Sequence, residues 1–155
     1  MKKETIIAAA AALVIILAGA IAPAYGAERK RSSGKKGVIP GVEVLEKRGF
    51  PGLKGKNVGL VTNPSGVDRN LRSTIDILFN APEVNLVALY GPEHGVRGDV
   101  YAGGKVNDHT DPATGLPVYS LYGATRKPTP EMLEGIDVMV YDIQDVGARS
   151  YTFIS

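Results

Sequence analysis

Two kinds of apolar pattern run along this chain, and they set its first residues apart from the rest. From Ile6 to Ala22 the sequence is uncharged and apolar without a break. After Val38 the apolar residues fall into short groups, some at helical spacing and some as continuous runs. "GVEVLEKRG" (41–49) sets Val42 and Leu45 on one side, with Leu53 nearby, and predicts a short helix that stops at Gly49. "KNVGLVTN" (56–63) is an apolar run closed by Asn63-Pro64, the pattern of a buried strand. In "SGVDRNLRSTIDILFN", Leu71, Ile75, Leu78 and Phe79 recur at helical spacing, with Ser73 placed to cap and Asp76 in the first turn. "VNLVALYG" (84–91) is almost wholly apolar and reads as a central strand buried on both faces.

The stretch 98–116 is rich in Gly, Asp and Thr and is expected to be a long loop. "LPVYSLYG" (116–123) predicts a further short strand. "TPEMLEG" offers Thr129 as cap, Pro130 at the first helical position and Gly135 as terminator. "IDVMVYD" (136–142) predicts another buried strand. Helical segments alternating with continuous apolar strands predict an α/β fold, a parallel sheet with flanking helices.

The first apolar run follows Lys2 and Lys3 and ends at Ala24 and Gly26, small residues at cleavage-site spacing. Residues 1–26 are therefore expected to be a secretory signal peptide cleaved before Ala27, which makes the protein periplasmic or extracellular. The competing reading is an uncleaved anchor helix. After cleavage no stable membrane span is expected. The chain has no cysteine, so a lipid anchor behind this run and disulfide staples are both excluded, and the fold must rest on its core.

The formal charge of +2 changes meaning once it is divided. "AERKRSSGKK" holds five basic residues and one acidic, and residues 1–26 hold two Lys and one Glu, so residues 37–155 carry −3. The positive charge belongs to a linker at 27–37. That linker has no aromatic side chain to stack on a base, so no nucleic-acid partner is expected.

In parallel α/β sheets ligands bind beyond the carboxyl ends of the strands. Three predicted strands end at "TNPSG", "GPEHGVRG" and "DIQDVGARSY", and polar side chains gather there: Asn63, Glu93, His94, Arg97, Asp142, Gln144, Asp145, Arg149 and Tyr151. No G-x-G-x-x-G, P-loop or G-x-S-x-G segment is present, and Pro64 removes an N–H that a phosphate cradle would need. His94, Asp99, Asp108, His109 and Asp111 are possible metal ligands, but their spacing matches no established signature, and "DHTD" reads as a polar turn. Carboxylate acid/base chemistry remains. Glu93 follows a central strand in a turn stiffened by Pro92, where partial burial would favour its protonated form, and the glycines around it admit close approach of a bulky substrate. The same residue could instead cap a loop by accepting backbone N–H groups.

Taken together, "GLVTNPSGVD", "RSTIDIL", "VNLVALYGPEHGVRGD", "TGLPVYSLYG", "KPTPEML" and "DVMVYDIQDVGARSYTFI" resemble, in order, the bacterial exo-β-N-acetylmuramidase family over about residues 41–155. "GPEHG" and "DIQDVGAR" are specific in combination, whereas "NPSG" departs from the commoner "NQTG" and weakens any role for Ser65. The resemblance implies a glycoside hydrolase with a Rossmann-like catalytic domain that releases N-acetylmuramic acid from the non-reducing end of peptidoglycan-derived saccharides. It carries the family glutamate onto Glu93 as general acid/base, with Asp142 or Asp145 as the second carboxylate. Arg149, then Arg97, would hold the lactyl carboxylate of the sugar. Asn63, His94, Gln144 and Tyr151 join the expected substrate-binding set. Neither a metal nor an organic cofactor is expected. Family members continue into the rest of this domain and a second one, so 38–155 is expected to be the N-terminal part of the catalytic domain, truncated at its C-terminus and inactive alone. A secreted muropeptide-binding module and a zinc-dependent amidase or deacetylase are the alternatives.

Overall fold

The computed structural model describes residues 37–99, 101 and 107–147. Residues 1–26, expected to be a signal peptide, most of the expected linker, Arg149 and Tyr151 lie outside the described residues.

Helix α1 (Gly41–Lys47) begins after Pro40 and ends just before Gly49, whose φ of 69° is the left-handed conformation that glycine adopts without penalty. Strand β1 (Asn57–Thr62) follows, then α2 (Thr74–Phe79), β2 (Asn85–Gly91), a two-residue β3 (His109–Thr110), β4 (Pro117–Ser120), a single 3-10 turn (Glu131–Leu133) and β5 (Val138–Asp142). The strands form one sheet in the order β3-β4-β2-β1-β5. β1 pairs in parallel with β2 and β5, β2 pairs in parallel with β4, and only β3 runs antiparallel. The fold is α/β and Rossmann-like, as the alternation of segments predicts.

Period-two alternation decides which side chains make the core. Val58 and Leu60 of β1, Leu89 of β2 and Val118 of β4 are wholly buried and cluster with Val42 of α1 and Ile75, Ile77 and Leu78 of α2. On the alternate positions Tyr90 is buried against the segment after β4, its hydroxyl donating to the Met132 carbonyl. Tyr119 packs 5.4 Å from it, centroid to centroid. Gly59 is required on this side, because a Cβ there would lie 2.6 Å from Met139 Sδ and 2.9 Å from the Tyr90 ring.

Four expectations are corrected. Leu71 is not on a helix: it has φ +63° and is 79% exposed, because α2 starts only where the Ser73 hydroxyl accepts the Ile75 N–H at 3.2 Å. The segment "TPEMLEG" makes one 3-10 turn and not an α-helix, since Pro130 and Gly135 (φ +75°) leave room for little more. β5 is not a buried strand. Among the described residues it pairs on one side only, and Met139 and Tyr141 are exposed at alternate positions. The 98–116 loop is interrupted by β3, which converts part of the expected polar turn "DHTD" into a strand paired with Val118 and Pro117.

Candidate functional site

From β1 the chain moves to β2 and β4 on one side and to β5 on the other, so the crevice between the ends of β1 and β5 is the topological switch point. Two polar links close it. The Thr62 hydroxyl donates to the Asp142 carbonyl at 2.8 Å, and the Thr74 hydroxyl at the start of α2 donates to the Asp142 carboxylate. Gly66 is forced by this closeness: a Cβ would sit 2.3 Å from Thr62 Oγ1 and 2.7 Å from the Asp142 carbonyl. A hollow of about 160 Å³ lies beside Asp142, walled by Val42, Leu45, Thr74 and Val140.

Asn63 is buried and turns inward. Its Oδ1 accepts the Ser65 N–H at 2.9 Å and the Ser65 hydroxyl at 2.6 Å, a side-chain turn of the kind Asn favours. Ser65 Oγ in turn accepts the Gln144 N–H at 2.8 Å. Ser65, which the departure from "NQTG" made doubtful, is thus the tie between the loops after β1 and β5. Gln144 joins through its backbone, and its side chain is exposed. Asp145 is exposed as well, and accepts the Gly147 N–H of its own turn at 2.7 Å.

Glu93 stands two residues beyond β2, half-buried, in a turn closed by the Gly95 N–H donating to the Pro92 carbonyl at 3.1 Å. His94, also half-buried, has φ +74°, a left-handed conformation uncommon outside glycine that marks sites held by their surroundings. The Glu93 carboxylate, through hydrogen bonding and then its charge, and with some burial, raises the Tyr122 phenol above its ordinary value against the opposing pull of Arg126. Tyr122 lines a half-open cavity of about 530 Å³ beyond β4, together with Asp108, Ser120, Thr125 and Met132.

Arg97 does a different job from the one expected of it. Its Nε and Nη2 bind both oxygens of Asp111 at 2.6 and 2.9 Å, and Nη2 also reaches Asp76 of α2 at 2.9 Å. Asp111 is only 2% exposed and also accepts the Thr114 hydroxyl at 2.6 Å. The Arg97 hydrogen bond, opposed by burial and helped by Thr114, holds its carboxyl below the usual carboxylate range. With its fork turned to two protein carboxylates, Arg97 clamps the loop after β2 to α2 and to the β3–β4 turn. Gly98 completes the join, because a Cβ there would meet Pro64 Cγ at 2.6 Å. The loops after β1 and β2 are therefore in contact.

The possible metal ligands are dispersed over other tasks. Asp108 accepts the Ser120 N–H at 2.8 Å, Asp111 pairs with Arg97, and His109 is exposed with Nδ1 3.0 Å from the Asn107 carbonyl. Among the described residues no three His, Asp or Glu side chains are grouped to hold a metal ion.

A strand-end glutamate beside a cavity in a Rossmann-like sheet is open to many chemistries, and comparison with known proteins narrows them. The family described as exo-β-N-acetylmuramidase NamZ, N-terminal, matches residues 58–155. The chain belongs to this family. It is 47% identical over 152 residues to the peptidoglycan β-N-acetylmuramidase NamZ of Bacillus subtilis (strain 168), a match that takes in 98% of this chain and 37% of that protein. Two solved structures of DUF1343 family proteins from Bacteroides fragilis NCTC 9343 are also similar. One is 67% identical with a TM-score of 0.67 over 74% of this chain, the other 35% identical with a TM-score of 0.57 over 75%. The chain spans 28% of each of those two chains and 37% of the Bacillus relative.

Proposed function

We propose that this chain supplies the N-terminal, Glu93-bearing part of an exported exo-β-N-acetylmuramidase, which removes N-acetylmuramic acid from the non-reducing end of peptidoglycan fragments. The observation that carries the reading is the position of Glu93, half-buried in a tight turn two residues beyond the carboxyl end of a central strand. The family membership gives that position its chemistry, and the lysine-led apolar run at the N-terminus supports export.

In this mechanism Glu93 protonates the leaving oxygen. Asp142 is the better second carboxylate, since Thr74 orients it at the switch point, while Asp145 is exposed and engaged by its own turn. β1 lies between β2 and β5, so the strands bearing Glu93 and Asp142 run about 10 Å apart at two strand spacings. The clamp of Arg97 on Asp111 and Asp76 favours Arg149 over Arg97 as the lactyl ligand in this reading.

The test joins this sequence to the remainder of the Bacillus relative and introduces Glu93→Gln. Turnover of a chromogenic N-acetylmuramide should fall by at least about a hundredfold. Near-wild-type turnover removes Glu93 from the chemistry. Free N-acetylmuramic acid released from a muramyl disaccharide separates an enzyme from a binding module, and loss of that activity to a chelator would favour a zinc-dependent hydrolase instead.

A further inference from the structure

We infer that the hollow beside Asp142 is the subsite for the sugar's N-acetyl group, with the methyl among Val42, Leu45 and Val140 and the amide N–H on the Asp142 carboxylate. The inference rests on the reading of the substrate as an N-acetylated sugar and adds the residues that select it. Position is the first support. The hollow lies where α1, the start of α2 and the end of β5 meet, at the switch point where ligands bind in sheets of this kind.

Size and lining are the second support. A volume of about 160 Å³ is close to that of an apolar cavity, about 150 Å³, that accepts a molecule the size of benzene. That is room for a small acyl group and not for a substituted sugar ring. Val42 and Leu45 come from α1, three residues apart, and Val140 comes from the β5 position that packs toward the same core. Asp142 is the one charged residue in the lining.

The third support is how Asp142 is held. Its carbonyl accepts the Thr62 hydroxyl at 2.8 Å, and its Oδ2 accepts the Thr74 hydroxyl. Thr74 is itself buried, with its N–H donating to the Gly66 carbonyl at 2.9 Å. Among the described residues Oδ1 takes no hydrogen bond. A carboxylate accepts, so the group that meets it must carry an N–H or O–H. The acetamido group of N-acetylmuramic acid joins an N–H to a methyl across one carbonyl, on the carbon next to the bond that is cut. Asp142 supplies the acceptor that a desolvated N–H needs, and the apolar walls take the methyl. The lactyl group also has a methyl, but its carboxylate would face Asp142, and like charges repel.

The test alters the hollow and the acyl group together. In this sequence joined to the remainder of the Bacillus relative, kcat/KM is measured for a chromogenic N-acetylmuramide and for its N-propanoyl analogue. One methylene too many in an apolar pocket costs at least about tenfold, so the propanoyl compound should react that much less well. Val140→Ala and Leu45→Ala, which enlarge the hollow, should each raise the propanoyl-to-acetyl ratio by about tenfold. Val118→Ala, a buried position on β4 away from the hollow, should leave the ratio alone. The ratio compares two substrates on one folded protein, so lost stability cannot imitate the result. A ratio unmoved in both hollow variants overturns the inference, as does an equal rise in Val118→Ala. If the unsubstituted enzyme does not turn over the muramide at all, the functional reading falls by itself, and NMR of the 155-residue chain then decides for the hollow. Methyl resonances of Val42, Leu45 and Val140 that shift with N-acetylmuramic acid and not with 3-O-lactylglucose, which lacks the amide, uphold the subsite; unmoved resonances overturn it.

Discussion

The Arg97–Asp111 clamp sets up the most demanding stability experiment on this fold, the substitution Asp111→Asn. Asp111 is 2% exposed and takes two bonds from Arg97 and two from Thr114, through its N–H and its hydroxyl. Asparagine keeps the volume but removes the charge, leaving the guanidinium without its buried counter-ion. Breaking one side of a buried pair is worth about 3–5 kcal/mol. Arg97 retains 27% exposure and a bond to Asp76, so water and a second carboxylate soften the loss and the lower end, about 3 kcal/mol, is expected. At about 4 °C per kcal/mol for a folded unit of this size, the midpoint of a thermal melt followed by circular dichroism should drop by about 12 °C. The pH dependence gives an independent check. Asp111's carboxyl is held below its ordinary value, so its contribution is full above the unfolded value of about 4 and is lost as pH falls through the lower folded value. Glu43, lowered first by its Arg69 hydrogen bond, and Asp68, where burial is outweighed by the combined bonds from Arg72 and Asn70, titrate in both proteins and cancel in the difference. The gap between wild type and Asp111→Asn should therefore be widest near neutral pH and close in strong acid. A shift below about 3 °C at neutral pH, or a gap that persists undiminished at about pH 2, would refute the clamp.

Two smaller perturbations probe the switch point and the helix that serves it. Gly66→Ala should destabilise by about 2 kcal/mol, because the new methyl group forces apart the Thr62–Asp142 link, and an unchanged urea midpoint would mean the loops yield freely. Ser73→Ala removes the hydroxyl that accepts the Ile75 N–H and should lower stability by about 1 kcal/mol in the same assay. A loss well under half of that would show that α2 is fixed by its buried Ile75 and Leu78 and not by its cap.

Strand positions were legible because burial on both faces writes continuous apolar runs, and β1 and β2 fall within a residue of the segments read from 56–63 and 84–91. The cap at Ser73 and the stop at Gly49 were legible for the same kind of local reason. β5 misled because "IDVMVYD" has the apolar content of a central strand, whereas burial depends on what pairs beside it, which no local pattern records. Leu71 misled because spacing alone cannot tell the residues before a cap from those after it. At the site, the strand-end rule gathered Asn63, Glu93 and Asp142 correctly at one end of the sheet. It could not reveal that Arg97 would be taken by Asp76 and Asp111, residues 21 and 14 positions away. Nor could it reveal Tyr122, whose place beside Glu93 depends on the register of two strands separated by the whole 98–116 loop.

These bonds divide the strand-end surface into two parts with different duties. On the β1–β5 side, Thr62, Asn63, Ser65, Thr74 and the Gln144 backbone satisfy one another, and even Asp142 is oriented by a protein hydroxyl. On the β2–β4 side, Tyr122 lines a cavity of about 530 Å³ backed by the Asp108–Ser120 pin, and the Glu93 carboxylate acts on its phenol. Pro64 against Gly98 joins the two parts, so a change that loosens the first should displace the second. A polar residue at a strand end is therefore not by itself a ligand residue in this fold. Asn63 and Arg97 carry the scaffold, their side chains spent on Ser65 and on the carboxylates of Asp76 and Asp111.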